Sequence, residues 1–486
     1  MVTRLAAADA MALNLQTPTT PAHTVAVLVL EASTPLSHRR LARWAACALP
    51  RLARFRSRLV DKPLVGQPLW AEIDDYDPTP QIHAASVVAP GGNRELGDLI
   101  TLVNGPLADP RALWEAWSID GLAGGRWALA VRMSPVLSDE GRGVAAMWEC
   151  LTTGTPGASG GPVEPGLGPA PSSGQLLTDT VSEFVENQLT GMWTVTETVT
   201  GALPSLGRRL RAGPARHTEA AAPVPATPFN TPMTTRRALA FASIPAGHVQ
   251  HVSLAFGANT ATVVLAACTL SLRAWLRQHD RMPSAPLTMT VPLSAPAGDP
   301  ATNGGPAAMG RVHMPVHLDD PVQVLTDLHT ATERLNIASR DEITDATVDV
   351  AEILSLFPPW AVRATAQVYR GLGVAGWRGP RCHGSISFVG TRTGPVFCSG
   401  AQVAAMYVAE PLVDRRGLDV TVTPHGDVID LCVGVCPDTV PDVDGIATGM
   451  TAAIDELCAA AGRTPRGEGR SVVTEMTSHV SRRSRT

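Results

Sequence analysis

Two places in this chain gather residue types able to move a proton or attack a carbonyl. One follows the apolar run Trp127–Met133, where Ser134, Pro135, Asp139 and Glu140 lie close together. A serine becomes a nucleophile when a base takes its proton, and a carboxylate works as acid or base when its pKa rises toward neutrality. Ser134 has no Gly-x-Ser-x-Gly elbow and no histidine partner visible in the sequence, so the local sequence supplies it no base. Asp139 reads as a turn or helix-cap aspartate, and Glu140 would need a raised pKa to act as acid or base. The other place holds His313 and His317, four apart in the run 312–318. If that run is one strand, both imidazoles share a face and can line a channel as a proton acceptor. Packed or surface histidines are the competing reading.

These residues need elements to hold them. Thr24 to Leu30 is an apolar run of strand length. Ser37 can cap a helix in which Leu41, Trp44, Ala45 and Ala48 fall on one face, with Pro50 at its end. Trp127–Met133 reads as a strand and 144–148 as the helix after it. Between 153 and 175, 12 of 23 residues are Gly or Pro and the only charge is Glu164. That composition predicts a linker with no means of packing a core. An amphipathic stretch with Leu177, Val181, Phe184, Val185 and Leu189 on one face follows, then Arg208, Arg209, Arg211 and Arg216. Together these two segments suit an anionic membrane surface, against the plainer reading of a solvated linker.

The second half predicts a helix over 262–276 and strands at 287–291, 312–318, 385–389 and 402–408. Strands at 418–423 and 428–435 make a hairpin around His425, Gly426 and Asp427. Helices are expected over 341–357 and 441–461, and a polar tail begins near Arg463. The expected division is 1–152, a linker over 153–232, 233–462 and a disordered tail over 463–486. Strands alternating with helices in two halves predict an α/β fold.

Bulk properties narrow the function classes. A chain of 486 residues suits two domains. The net charge of −5, from 39 basic and 44 acidic residues, argues against non-specific nucleic-acid binding along the whole surface. No apolar run of about 18 residues predicts a transmembrane helix, and the N-terminus lacks the apolar core of a signal peptide. A cytoplasmic protein, peripheral to a membrane through the basic segment, is expected. The eight cysteines include no C-x-x-C pair, and Cys432 and Cys436 read as a packed, reduced pair rather than a metal site.

Several short motifs, in order, resemble the bacterial wax ester synthase/diacylglycerol acyltransferase family across roughly 1–150 and 232–460. Leu5 with Asp9, then Thr17 to His23, looks like its opening segment. Ala112, Leu113 and Trp114 resemble its Pro-Leu-Trp motif, with Ala112 replacing the proline, and Gly121 and Leu122 follow. Ala261 to Ala266 is similar to its Asn-Asp-Val-Val-Leu-Ala helix, with Ala261 and Thr262 at the Asn-Asp pair. Val291 to Ser294, Gly310 with Arg311, and Gly394 to Val403 resemble further segments. In this family a strand like Trp127–Met133 runs into His-His-x-x-x-Asp-Gly. The second histidine acts there as general base on an alcohol attacking an acyl-CoA thioester. With Asp139 on the motif aspartate, Ser134 and Pro135 occupy the histidine positions. With Glu140 and Gly141 as the acidic-Gly pair, Pro135 and Val136 do.

The resemblance implies two chloramphenicol-acetyltransferase-like domains with mixed sheets flanked by helices and a channel between them. It implies long-chain acyl-CoA as substrate or ligand, diacylglycerol or a fatty alcohol as acceptor, and a membrane or lipid-droplet surface as partner. No metal or redox cofactor is implied. It assigns His23 and His83 structural roles and leaves the motif without its base. A general base contributes about 10²–10⁴-fold, so the expectation is weak transfer, or binding of acyl-CoA or lipid without transfer.

Overall fold

In the computed structural model the described residues are 3–6, 9–10, 13, 16–17, 20–21, 23–61, 68–105, 112–137, 143–158, 160–172, 174, 224–292, 309–342, 382–390 and 394–463. The first half carries β1 (Thr24–Leu30), α1 (His38–Ala48), β2 (Ser57–Val60), β3 (Leu69–Glu72), β4 (Ile82–Gly91), α2 (Asn93–Val103), β5 (Trp114–Leu122), β6 (Trp127–Met133) and α3 (Gly143–Leu151). The second half carries β7 (Ala238–Pro245), α4 (Ala246–Phe256), α5 (Thr260–Gln278), β8 (Leu287–Pro292), β9 (Met309–Met314) and α6 (Pro321–Glu342). It continues with β10 (Gly384–Phe388), β11 (Phe397–Cys398), β12 (Ala401–Ala409), β13 (Leu418–His425), β14 (Val428–Val435) and α7 (Val443–Arg463).

Two six-stranded mixed sheets result. One runs β11-β12-β1-β6-β5-β4, the other β7-β14-β13-β10-β8-β9. In the first, only β4 and β5 are parallel; in the second, β10 is parallel to both β13 and β8. The α/β class with mixed sheets flanked by helices is as expected. The sheets do not follow the two halves of the chain, because β11 and β12 leave the second half and pair with β1 of the first.

β1 shows why this holds. Its seven apolar or β-branched residues pair on both edges, with β12 and β6. Ala26, Leu28 and Leu30 join the core under α1, with Leu41 and Ala45. Val25, Val27 and Val29 point the other way and meet Leu239, Phe241, Tyr407 and Cys432, a core shared by the two sheets. A continuous apolar run is what a strand buried on both faces requires. Ser37 caps α1 as predicted, its Oγ accepting from the Arg40 amide at 3.2 Å. The β13–β14 hairpin closes His425 on Val428 through Gly426, whose φ of +49° supplies the positive value such tight turns need.

Three expectations change. The strand expected over 312–318 ends at Met314, because Pro315 offers no ladder N–H and the chain turns there, Leu318 N donating to Pro315 O at 3.0 Å. His317 is therefore in an exposed turn and does not share a strand face with His313. The described part of the Gly/Pro-rich segment is strapped to the first unit rather than loose. Arg51 donates to the carbonyls of Gly160 and Gly161, Arg56 to that of Glu164, and the Ala53 amide to the Glu164 carboxylate. Cys432 and Cys436 do not share a packed face: Cys432 lies in the inter-sheet core, Cys436 in a small cluster with Met233 and Leu412. The amphipathic stretch, the four arginines from Arg208 to Arg216, most of the helix expected over 341–357 and the tail lie outside the described residues. Among the described residues no single helix is long and apolar enough to cross a membrane.

Candidate active site

Three neighbouring strands bring the site together at one end of the first sheet. Met133, the last residue of β6, pairs with Thr24 of β1 on one side and Trp114 of β5 on the other. The next position along each strand places Ser134 between His23 and Leu113. The Ser134 amide donates to Leu113 O at 2.7 Å, and Ser134 O accepts from the Leu137 amide at 2.9 Å, closing the turn Pro135–Leu137. Ser134, Pro135, Val136 and Leu137 are all buried.

His23, Leu113 and Ser134 line one cavity of about 1770 Å³. Its other walls come from both halves of the chain: Ala112, Leu59 and Leu102 on one side, Thr235 to Ala238 and Pro437 on the other. Arg58, Asp61, Asp98, Arg236 and Arg237 bring charge to it. Arg236 is paired with Asp438 at 2.5 Å, whereas Arg58 has no partner among the described residues.

Behind this cavity lies the buried ion pair of Arg132 and Glu115. Arg132 also donates to the carbonyls of Val103, at 2.6 Å, and Gly105, and its guanidinium lies 5.3 Å from the Trp117 ring. Since Asn104 and Gly105 line the cavity, Arg132 ties the end of α2 to the sheet and fixes that wall. It also acts on His23. Burial, and then the nearby Arg132 charge, hold the imidazole down to about 4, so it is neutral at pH 7. His83, the other histidine given a structural role, packs at a tilt against Trp117, with ring centroids 5.4 Å apart, and lies 4.0 Å from the Glu115 carboxylate.

The structure does not gather the remaining candidates around Ser134. Ala261 and Thr262 open α5 after the Asn259 cap, whose Oδ1 accepts from the Thr262 amide at 2.8 Å. They line a separate cavity of about 370 Å³ with Thr332 and Phe388. His313 is exposed on the edge strand β9, its Nδ1 3.1 Å from Thr288 Oγ1, and neither it nor His317 lines either cavity. Asp139, with Glu140 and Gly141, lies outside the described residues. His23, given a structural role from the resemblance, is the histidine that lines this cavity. Its one available signal is its place immediately before β1, which becomes informative only when β1 is paired with β6. No group of three or more His, Cys, Asp or Glu side chains among the described residues is placed to hold a metal ion.

The catalytic domain of wax ester synthase/diacylglycerol acyltransferase matches residues 5–264, more than half of the chain. The chain belongs to this family. The C-terminal domain of the wax ester synthase/diacylglycerol acyltransferases matches residues 307–458. A Mycobacterium tuberculosis relative, named "Putative diacyglycerol O-acyltransferase Rv1760", is 26% identical over 477 residues, covering 96% of this chain and 92% of its own length. A second relative from that organism, given the same description, is 28% identical over 462 residues, covering 93% and 98%. Among solved structures, the wax ester synthase/diacylglycerol acyltransferase of Marinobacter aquaeolei VT8 is similar in fold, with TM-score 0.66, 20% identity and coverage of 95% and 100%. The first condensation domain of the calcium-dependent antibiotic synthetase follows, with TM-score 0.54, 15% identity and coverage of 95% and 97%. Within this acyltransferase family, the present member brings Ala112 and Leu113 of its Pro-Leu-Trp-like motif to the same cavity wall as Ser134.

Proposed function

We propose that this chain is an acyl-CoA-dependent O-acyltransferase that joins a long fatty acyl group to diacylglycerol or a fatty alcohol. The observation that carries this reading is the cavity beside Ser134. At about 1770 Å³ it exceeds the roughly 300–1,000 Å³ of ordinary small-molecule sites. Two long substrates can meet there, with aliphatic walls for the chains and arginines for the nucleotide phosphates. Holding the thioester beside the hydroxyl supplies rate by proximity. The alcohol oxygen attacks the thioester carbonyl, the C–S bond breaks, and coenzyme A leaves as thiol. No step calls for a metal or redox cofactor.

The second reading, an acyl-CoA or lipid carrier without turnover, is favoured by Ser134 and Pro135 at the histidine positions of the family motif. One experiment separates the two. Purified protein is given radiolabelled oleoyl-CoA with dioleoylglycerol or hexadecanol, and ester formation is measured beside equilibrium binding. Saturable ester formation, suppressed in Ala112→Trp by filling the cavity, supports the transferase. Saturable binding with no ester above the protein-free rate assigns the carrier role.

A further inference from the structure

We infer that His23, arriving from β1, takes the place of the missing motif histidine and accepts the proton of the attacking alcohol. This rests on the transferase reading. The geometry begins with the register: Thr24 pairs with Met133 at the end of the β1–β6 ladder, and His23 and Ser134 are the next residues along the two chains, where a continued ladder would set them opposite. Side chains directly opposite in an antiparallel pair have Cβ atoms about 4.5–5.5 Å apart. An imidazole at position 23 thus overlooks the spot a base rooted in the 134–135 turn would serve. His23 and Ser134 line the same cavity.

Its hydrogen-bonding state agrees. Nδ1 is buried with no partner among the described residues, and Nε2 has none there either. A buried imidazole committed to structure is ordinarily hydrogen-bonded, whereas one awaiting a substrate proton is free. The charged groups around it are Arg132 on β6, Arg58 and Asp61 at and after β2, Asp98 on α2, and Arg236 and Arg237 before β7. Burial, and then the Arg132 charge, keep the ring neutral and able to accept. The same surroundings make it a weaker base than an ordinary histidine, which fits a slow transferase. In the step itself the hydroxyl proton passes to a ring nitrogen as oxygen bonds to the thioester carbon. The imidazolium then returns that proton to the departing thiolate.

The test uses the full chain, with oleoyl-CoA and hexadecanol for turnover and a non-cleavable thioether analogue of oleoyl-CoA for binding. His23→Ala and His23→Gln are each expected to lower kcat by about 10²-fold or more while changing the analogue Kd less than threefold. Added imidazole should restore part of the His23→Ala rate and none of the Gln variant's. The acid limb of the unaltered protein's kcat profile should lie below pH 5 rather than near 6.5. Turnover within threefold of the unaltered protein in either variant overturns the assignment, as does equal loss of kcat and of analogue binding. If the variants fail to fold, the unaltered protein is modified with diethyl pyrocarbonate: loss of turnover in step with carbethoxylation of His23, slowed by the thioether analogue, supports it, and full turnover with His23 modified overturns it. Binding without turnover in the unaltered protein overturns the transferase reading and this inference with it, whereas active His23 variants overturn the inference alone.

Discussion

Ser134 and Pro135 sit in a turn built to hold its shape without them being reactive. The amide of Ser134 is committed to Leu113 and its carbonyl to Leu137, and Pro135 opens a 3-10 turn, a position where its missing N–H costs nothing. The backbone therefore tolerates other side chains. The double change Ser134→His with Pro135→His is expected to raise ester formation by about tenfold or more, toward the contribution of a well-placed base, at a cost of about 1–3 kcal/mol in urea denaturation because both positions are buried. A second residue-scale effect concerns the buried acid Asp419, whose carboxylate accepts from Ser385 at 2.7 Å and from Thr421 at 3.1 Å. Burial raises it to about 6, and Glu410, which accepts from Thr24, is pushed up to about 7 by desolvation and then by Asp419. Each native carboxyl keeps its proton to a higher pH than the unfolded one. Their contribution to stability is thus most favourable below about pH 4 and is lost as pH rises through 6 and 7. Exposed Asp438, shifted downward, works in the opposite sense, so the measurement is a difference: Asp419→Asn should flatten the fall of the urea midpoint between pH 4 and 7.

α2 links the cavity wall to the second sheet. Gly97 lets it approach β7 so closely that an added Cβ would sit 2.4 Å from the Leu239 carbonyl oxygen, and Asn93 donates to Phe241 O on the same strand. Asp98, Thr101 and Leu102 of this helix line the cavity. Gly97→Ala should cost about 1–3 kcal/mol in chemical denaturation and weaken acyl-CoA binding, because the helix must lift and carry that wall with it. Elements of this size were largely legible in the sequence. The uniform apolar run of β1, the face of α1 and the length of α5 mark themselves by period and caps, since burial acts on each side chain locally. What escaped were features made by the backbone or by a neighbour. Pro315 cut the strand that was to align His317 with His313. The strap over 160–172 is anchored through carbonyls and one carboxylate, which leave little trace in hydrophobic pattern. That His23 comes to the cavity of Ser134 depends on which strand lies beside β1, a non-local fact.

The two sheets act as one body through what passes between them. β12 lies in the first sheet, yet its Met406 amide donates at 2.7 Å to Asp430 of β14, in the second. Asp430 also accepts from Ser243 at 2.5 Å and lies 2.9 Å from His425 Nδ1. Asp430→Ala would strand these groups in a dry interface, so a loss of about 3–5 kcal/mol is expected, read as a lower urea midpoint for both halves in one transition. β1 and β12 carry a further consequence during synthesis on the ribosome. The edge of β1 emerges early, but the strand that covers it emerges only after Ala401. Until then an apolar edge stands open to pairing with other chains, so the unfinished protein is most exposed to self-association before that strand is made.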